Sequence, residues 1–173
     1  MNKNPIICSQ KFPYLVAALG EFQINTSLRI AAYLGQVLHE SGEFRYVEEI
    51  WIPTSQQNRY DPPSRLSIQL GNTHTGDGFV FRGRGDLMIT GRANYRKYGL
   101  KLNLNLELNP DLASTLPVAS RVGGVYWTDR GLNELADQGQ GSFDKITLQV
   151  NGGYNGKSQR DFFYQKALSV LQA

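Results

Sequence analysis

The sequence predicts a mainly α-helical single domain interrupted by a long irregular insertion, on three observations. Apolar residues recur at helical spacing in residues 27–40, 117–136 and 158–171. Residues 51–85 are crowded with Pro, Asn, Gly, Ser and Asp, which favour turns. Strand signals are confined to two short runs, FVFRG at 79–83 and LMIT at 87–90. At 173 residues, 40% of them hydrophobic, the chain is read as one domain over residues 1–173, long enough to bury a core.

Taken in order, residues 12–20 (FPYLVAALG) predict a short helix ending at Gly20. Asn25, Thr26 and Ser27 offer N-cap oxygens for a second helix, SLRIAAYLGQVLHE. In that helix Ile30, Leu34, Val37 and Leu38 share a face, which is assigned to the core. Gly42 sits where a helix would terminate. The stretch from Trp51 to Gly85 (including PTSQQNRYDPPS and GNTHTGDG) reads as one long loop, and such loops in compact domains are usually functional or disordered. Asn94 to Tyr98 opens a further helix, and no repeat, low-complexity run or linker divides the chain.

The formal net charge is +3, from 18 Lys and Arg against 15 Asp and Glu. Such a surface suits an anionic polymer such as a bacterial cell wall. The basic residues are scattered, without the run that marks a nucleic-acid arm, so no nucleic-acid partner is expected. The single cysteine, Cys8, excludes an intrachain disulfide, and with only His39 and His74 beside it no zinc cluster is expected. The N-terminal MNKNPIICSQKFPYLVAAL has short apolar stretches broken by polar residues and two prolines, with no small-residue cleavage site. It does not read as a secretory signal. No apolar run approaches the ~20 residues of a membrane span. The expectation is a protein kept in a reducing cytoplasm until something releases it, without stable membrane association.

Glu40 is the first candidate for chemistry. It falls in the last turn of its helix, where the negative end of the dipole disfavours a carboxylate. Partial burial there would raise its pKa further, as a general acid near neutral pH requires; on position alone it is an ordinary helix-end glutamate. Glu43, Glu48 and Glu49 follow within ten residues. Glycosidic cleavage needs two carboxyls, one protonated and one ionised. Glu43 and Glu48 read as surface residues, whereas Glu49 precedes the apolar Ile50 and Trp51 and reads as anchored at a wall. Spacing alone leaves open which of Glu48 and Glu49 faces a substrate.

The run FRGRGDLMITGRANY at 81–95 combines Gly83, Gly85 and Gly91, which permit close backbone approach, with the donors Arg82, Arg84 and Arg92. It matches neither GxGxxG nor GxxxxGK[ST], which argues against a nucleotide site. Thr90 is a hydroxyl at the end of a predicted strand. Asn151 lies in the turn-rich VNGGYNG at 150–156, where an amide can both donate to and accept from a sugar. Tyr46, Trp51, Tyr60, Tyr95, Tyr126 and Trp127 are the aromatics that could stack on sugar rings.

These motifs together resemble family 19 glycoside hydrolases, in particular chitinase-like phage endolysins and their bacterial relatives. The likeness is carried by Ala31 to Gly42 (AAYLGQVLHESG), continuing through Phe44, Arg45 and Tyr46 to Glu49, Ile50 and Trp51. It extends through Pro53, Thr54, Gln56 and Tyr60, then LGNT at 70–73, GDG at 76–78, FRGRG at 81–85 and ITGRANY at 89–95. Asn109-Pro110, GLN at 131–133, Ala136-Asp137, Ile146-Thr147, NGG at 151–153 and Arg160 complete it, covering roughly residues 12–170.

The resemblance implies a two-lobed, lysozyme-like helical fold with a central substrate cleft, and an inverting mechanism. Glu40 would protonate the departing glycosidic oxygen. Glu49 would act as general base on a water at the opposite face of the sugar, which Thr90 would help to hold. Inversion calls for carboxyls roughly 6.5–9.5 Å apart. Tyr46, Trp51, Asn94, Tyr95, Asn151 and Arg160 would serve the sugar subsites, with Arg160 at the cleft or behind it. No metal or organic cofactor is implied. The chain departs from the family pattern at Glu43, where a second glycine is usual. It departs again at Asp86-Leu87-Met88 after the Gly-Arg-Gly run, where Met88 replaces a glutamine that ordinarily contacts substrate.

Chitin and peptidoglycan share β-1,4-linked N-acetylglucosamine, so the catalytic residues do not separate them. A bare, slightly basic domain resembles a phage or prophage endolysin. The expected reaction is therefore hydrolysis of the peptidoglycan glycan strand between N-acetylmuramic acid and N-acetylglucosamine, by a monomer that waits in the host cytoplasm before reaching the wall. The rival readings are a chitinase acting on chitin oligomers, a catalytically impaired glycan-binding protein suggested by Asp86 and Met88, and a nucleic-acid binder resting only on the basic balance.

Overall fold

The computed structural model describes residues 8–172. The first seven residues, on which part of the reading of the N-terminal segment rests, and the side chain of Cys8 lie outside the described residues. In chain order the helices are α1 (Cys8–Glu21), α2 (Ser27–Glu40), α3 (Arg65–Leu70), α4 (Asp77–Val80), α5 (Arg92–Leu102), α6 (Leu116–Asp129), α7 (Leu132–Ala136), α8 (Phe143–Asn151) and α9 (Lys157–Leu171). Short 3-10 turns occur at Gln57–Tyr60, Pro110–Ser114 and Gln140–Ser142. The expected mainly helical class is what the chain adopts. It gathers into two compact units, one from residues up to Tyr46 and from Gly124 onward, the other from Val47 to Gly123.

In the first unit α2 is the central element. Thr26 caps it, its side chain accepting from the Arg29 N–H at 3.2 Å, as the sequence leads one to expect. The buried residues are Ala31, Ala32, Tyr33, Gly35, Gln36 and Val37, whereas Ile30, Leu34 and Leu38 are only half-buried. This corrects the expected core face, and the reason is size. A Cβ on Gly35 would stand 2.7 Å from the Phe143 ring and 3.1 Å from the Tyr164 Cβ. The small side chains thus admit α8 and α9 to a contact that branched residues would hold open. Phe143 and Tyr164 stack with centroids 4.2 Å apart, and Tyr33 meets Trp127 edge-on at 5.2 Å. The buried Trp127 indole N–H donates to Asn133, whose amide donates to the Phe22 carbonyl. The first helix is longer than residues 12–20, since Pro13 forgoes one backbone bond without ending a segment that buries Leu15 and Ala18.

The second unit contains the insertion, which is not one long loop. A 3-10 turn, α3 and α4 break it up, each only four to six residues long. Carboxylates and hydroxyls anchor these pieces. Ser64 caps α3 by accepting from the Ser67 N–H at 2.9 Å. Asp61 accepts from the N–H groups of Gly76 and Gly78 at 3.0 and 2.7 Å. Asp77 accepts from Thr73 and His74 at 2.8 and 3.1 Å and also binds Arg92.

Neither predicted strand forms. Phe79 and Val80 belong to α4, and among the described residues pairing is limited to isolated antiparallel bridges, Glu48 with Arg84 and Arg84 with Ile89. The chain turns too tightly between Arg84 and Ile89 for a ladder, with positive φ at Gly85 (80°) and Met88 (48°). The core of this unit includes Phe81, Leu87, Ile89, Tyr95, Tyr98, Leu102, Leu106 and Val122.

Candidate active site

Glu40 stands at the C-terminal end of α2, in the first unit. Arg160, on α9, has no exposed surface, and its Nη2 donates to Glu40 Oε1 at 2.5 Å. The same guanidinium donates through Nη1 to Gln36 Oε1 (2.6 Å) and through Nε to the Asn155 carbonyl (3.0 Å). Gln36 is fully buried one helical turn before Glu40, and its Nε2 donates to Thr147 Oγ1 on α8 at 2.8 Å. Arginine has only donors, so Gln36 must turn its oxygen to Arg160 and its amide NH2 to Thr147. Three helices therefore fix the direction in which the Glu40 carboxyl is held. Next to it, His39 Nδ1 pairs with Gln159 Oε1 at 2.7 Å. The His39 ring lies so close to Gly156 that a Cβ there would stand 2.0 Å from it. Gly156 also has φ +70°, so a side chain is excluded twice over.

Past Gly42 the backbone turns left-handed for three residues, with φ of 56°, 62° and 64° at Gly42, Glu43 and Phe44. Ser41 enforces the turn, donating to the Val37 carbonyl and accepting from the Phe44 N–H. Tyr46, about half exposed, is the aromatic face left at this end of the first unit.

In the second unit Glu48 and Glu49 point in opposite directions from extended backbone, and their surroundings differ in kind. The Glu48 carboxylate lies between Arg82 and Arg84, with Arg82 Nε at 3.0 Å and Arg84 Nε at 3.1 Å. Arg84 is itself buried and also binds Asp111, the Val80 carbonyl and the Tyr95 hydroxyl. Glu48 is thereby a structural anchor, not the surface residue expected. Among the described residues Glu49 meets only neutral donors. Gln57 Nε2 reaches Oε1 at 2.9 Å, and the Gly83 N–H reaches Oε2 at 3.0 Å. Burial, together with the nearby Glu49 charge, pushes the Tyr60 hydroxyl up to about 12. Tyr60 therefore remains a donor at any physiological pH. A carboxylate is an acceptor only, and each of its oxygens here receives an N–H donor.

The other expected residues divide. Trp51 is half-buried near Glu49, packed against Tyr60 (6.1 Å between centroids) and edge-on to Phe79 (5.7 Å). Thr90 donates to the Met88 carbonyl at 3.0 Å, and Asn94 donates to the Thr90 carbonyl at 2.7 Å. Both retain some exposure, and their side chains fold over one turn. Asn151 ends α8 and accepts from the Asn155 N–H at 3.3 Å. Tyr95 is corrected as a sugar contact: it is wholly buried, its hydroxyl donating to the Arg82 carbonyl. Burial pushes that hydroxyl up to about 12. Arg160 is likewise removed from direct contact, since every surface of it is enclosed and it acts on Glu40 instead. Tyr126 and Trp127 are core residues. Asp86 is fully buried with its N–H on the Ala119 carbonyl.

Two residues of these networks escape a reading by motif. Gln36 is signalled only as a polar side chain on a face of small apolar ones. Gln57 is signalled by the spacing Thr54-x-x-Gln57, a capping-box pattern. Among the described residues no group of three or more His, Cys, Asp or Glu could hold a metal ion, and no helix is long and apolar enough to cross a membrane.

A helical chain presenting glutamates held in two such different ways has the makings of a glycoside hydrolase, and comparison with known proteins identifies which. A glycosyl hydrolase family 19 domain-containing protein of Haemophilus influenzae is 33% identical over 163 residues, spanning 81% of this chain and 78% of that protein. An endochitinase of Arabidopsis thaliana is 33% identical over 125 residues, spanning 72% of this chain but only 39% of the plant enzyme. Among solved structures, the family 19, class IV chitinase of Zea mays superimposes with a TM-score of 0.69 at 26% identity, covering 99% of this chain and 84% of that one. Chitinase C of Streptomyces griseus shares the fold with a TM-score of 0.74 at 21% identity, over 94% of this chain and 84% of its own. No family model matches the chain. The chain belongs to glycosyl hydrolase family 19, with that family's lysozyme-like, all-helical fold, and is a chitinase-like glycoside hydrolase.

Proposed function

We propose that this chain is an endolysin that hydrolyses β-1,4 bonds in peptidoglycan glycan strands by an inverting acid/base mechanism. Glu40 donates the proton to the departing glycosidic oxygen, and Glu49 takes the proton of the attacking water, with Thr90 as an additional hydrogen-bonding partner for that water. Tyr46, Trp51, Asn94 and Asn151, all still partly exposed, are the side chains available to the sugars. The observation that carries the assignment is the contrast between Glu48 and Glu49. Two arginines occupy the Glu48 carboxylate, whereas among the described residues Glu49 has neutral donors and no cationic partner, leaving it able to accept a proton.

The choice of peptidoglycan is supported by the resemblance to phage endolysins and by the net charge of +3, which favours an anionic wall over neutral chitin. On this reading the protein waits in the host cytoplasm and reaches the wall as a monomer when the membrane is breached. Chitin is the second reading, favoured by the plant relatives named endochitinases. The test pairs the protein with Glu40→Gln and Glu49→Gln on outer-membrane-permeabilised Gram-negative cells and on colloidal chitin, scoring turbidity and new reducing ends. Clearing by the native protein alone supports the endolysin. Sugar ends from chitin alone move the substrate and keep the residues. Activity surviving either substitution removes that glutamate from the mechanism.

A further inference from the structure

Gln57 is almost wholly buried, at 6% exposure, in a stretch otherwise rich in solvated polar residues. Its backbone N–H donates to Thr54 Oγ1 at 3.1 Å, and its side-chain oxygen accepts from the Thr54 N–H at 3.2 Å. This reciprocal pair is a capping box, continued by the Asn58 N–H on the Thr54 carbonyl at 2.9 Å. With Oε1 so used, the amide NH2 is turned the other way, and there it meets two acceptors: Glu49 Oε1 at 2.9 Å and the Ile50 carbonyl at 3.0 Å. One side chain therefore ties the turn at Thr54 to the Glu49 carboxylate. A capping box accepts glutamate or glutamine equally. The contact with Glu49 does not, because only an amide donates.

We propose that Gln57 is a positioning residue that holds the Glu49 carboxylate in one orientation. This rests on the reading of Glu49 as the general base. The amide makes one carboxylate oxygen an occupied acceptor. The Gly83 N–H does the same at the other, at 3.0 Å. Gly83 leaves no slack, since a Cβ there would stand 3.3 Å from the Glu49 Cβ. Rotation of the carboxyl is thus opposed on both sides.

The test exploits the difference between box and donor. Gln57→Glu keeps the capping box but sets a carboxylate against Glu49, and Gln57→Met keeps the shape while removing the donor. Two readouts are taken on both variants: the pH profile of kcat/KM on whichever of the wall glycan and the chitin oligomer the native protein cuts, and the carboxyl 13C titration of Glu49, which needs no turnover. In Gln57→Glu the acid limb and the Glu49 titration should both move up by about one pH unit or more. kcat should fall roughly tenfold with KM little changed. Gln57→Met should move both in the same direction by less. Unmoved limbs and titrations in the folded variants overturn the proposal, as would equal loss of thermal stability in both with no pH effect, the mark of a merely structural box. Glu49→Gln, run alongside, separates the two levels. If it retains activity, the base reading itself fails, whereas its inactivity beside unmoved Gln57 variants rejects Gln57 alone.

Discussion

Replacing Arg160 with methionine takes a guanidinium out of a site where it serves three acceptors at once. Gln36 Oε1 is fully buried and has no route to water once its partner is gone, which costs about 1–3 kcal/mol. The Asn155 carbonyl loses its bond from Nε, adding about 1 kcal/mol. Glu40 keeps 21% of its side chain exposed, so solvent compensates part of the loss there. The sum falls in the range of roughly 3–5 kcal/mol found when one partner of a buried ion pair is removed. With a urea slope of about 1–3 kcal/mol per molar, the unfolding midpoint should drop by at least about 1 M. Arg160→Lys keeps the charge but offers a single point of donation in place of the fork, and should fall between native and methionine. A loss below about 1 kcal/mol in Arg160→Met would refute the reasoning. It would mean that apolar packing replaces the network at no net cost and that Glu40 is held by something else.

Three other perturbations follow from the same geometry. Gly35→Ala should destabilise by about 1–2 kcal/mol in a thermal melt, because a Cβ 2.7 Å from the Phe143 ring overpacks a stacked pair by more than the ~1 kcal/mol of helix propensity gained; a rise in Tm would show that the rings can retreat. Glu43→Gly should raise stability by roughly 0.5–1 kcal/mol in urea unfolding, since φ of 62° costs a side chain about 1–2 kcal/mol and the exposed contact with Arg45 at 4.0 Å gives little back. Asp77→Asn should flatten the acid side of the stability curve. Burial opposes ionisation of Asp77, but its bonds from Arg92, Thr73 and His74 outweigh it and hold the carboxyl below the ordinary aspartate value. A depressed folded pKa means that the unfolded chain binds more protons, so this stabilisation is present above about pH 4 and lost as pH falls through the folded value. Equal acid sensitivity in Asp77→Asn and the native protein, by urea midpoints at pH 3 to 6, would assign the effect elsewhere.

What the sequence discloses follows from the range of the interactions involved. The α2 boundaries are legible because a cap is local: Thr26 and its Arg29 N–H lie three residues apart. The short helices of the insertion are not legible. A helix of four to six residues never completes the two turns that a period needs, and α4 depends on a carboxylate many positions away, Asp61, which accepts from the Gly76 and Gly78 N–H groups. The run FVFRG carries strand-forming residues, yet Phe79 and Val80 turn as helix because Asp77 captures the preceding N–H groups, so tertiary context overrides propensity.

The site shows the same division. Glu40 and Glu49 are named by motif, but what distinguishes Glu49 from Glu48 is not in the motif. It lies in Arg82 and Arg84, more than 30 positions on, and in a glutamine whose amide is aimed by a turn. The partner of Glu40 is more distant still, 120 positions away, on a helix that Gly35 lets lie close. The residue types thus announce which chemistry is available, and the closeness of packing decides which carboxyl is left able to perform it. Local pattern reaches the first of these; the second appears only when the helices are assembled.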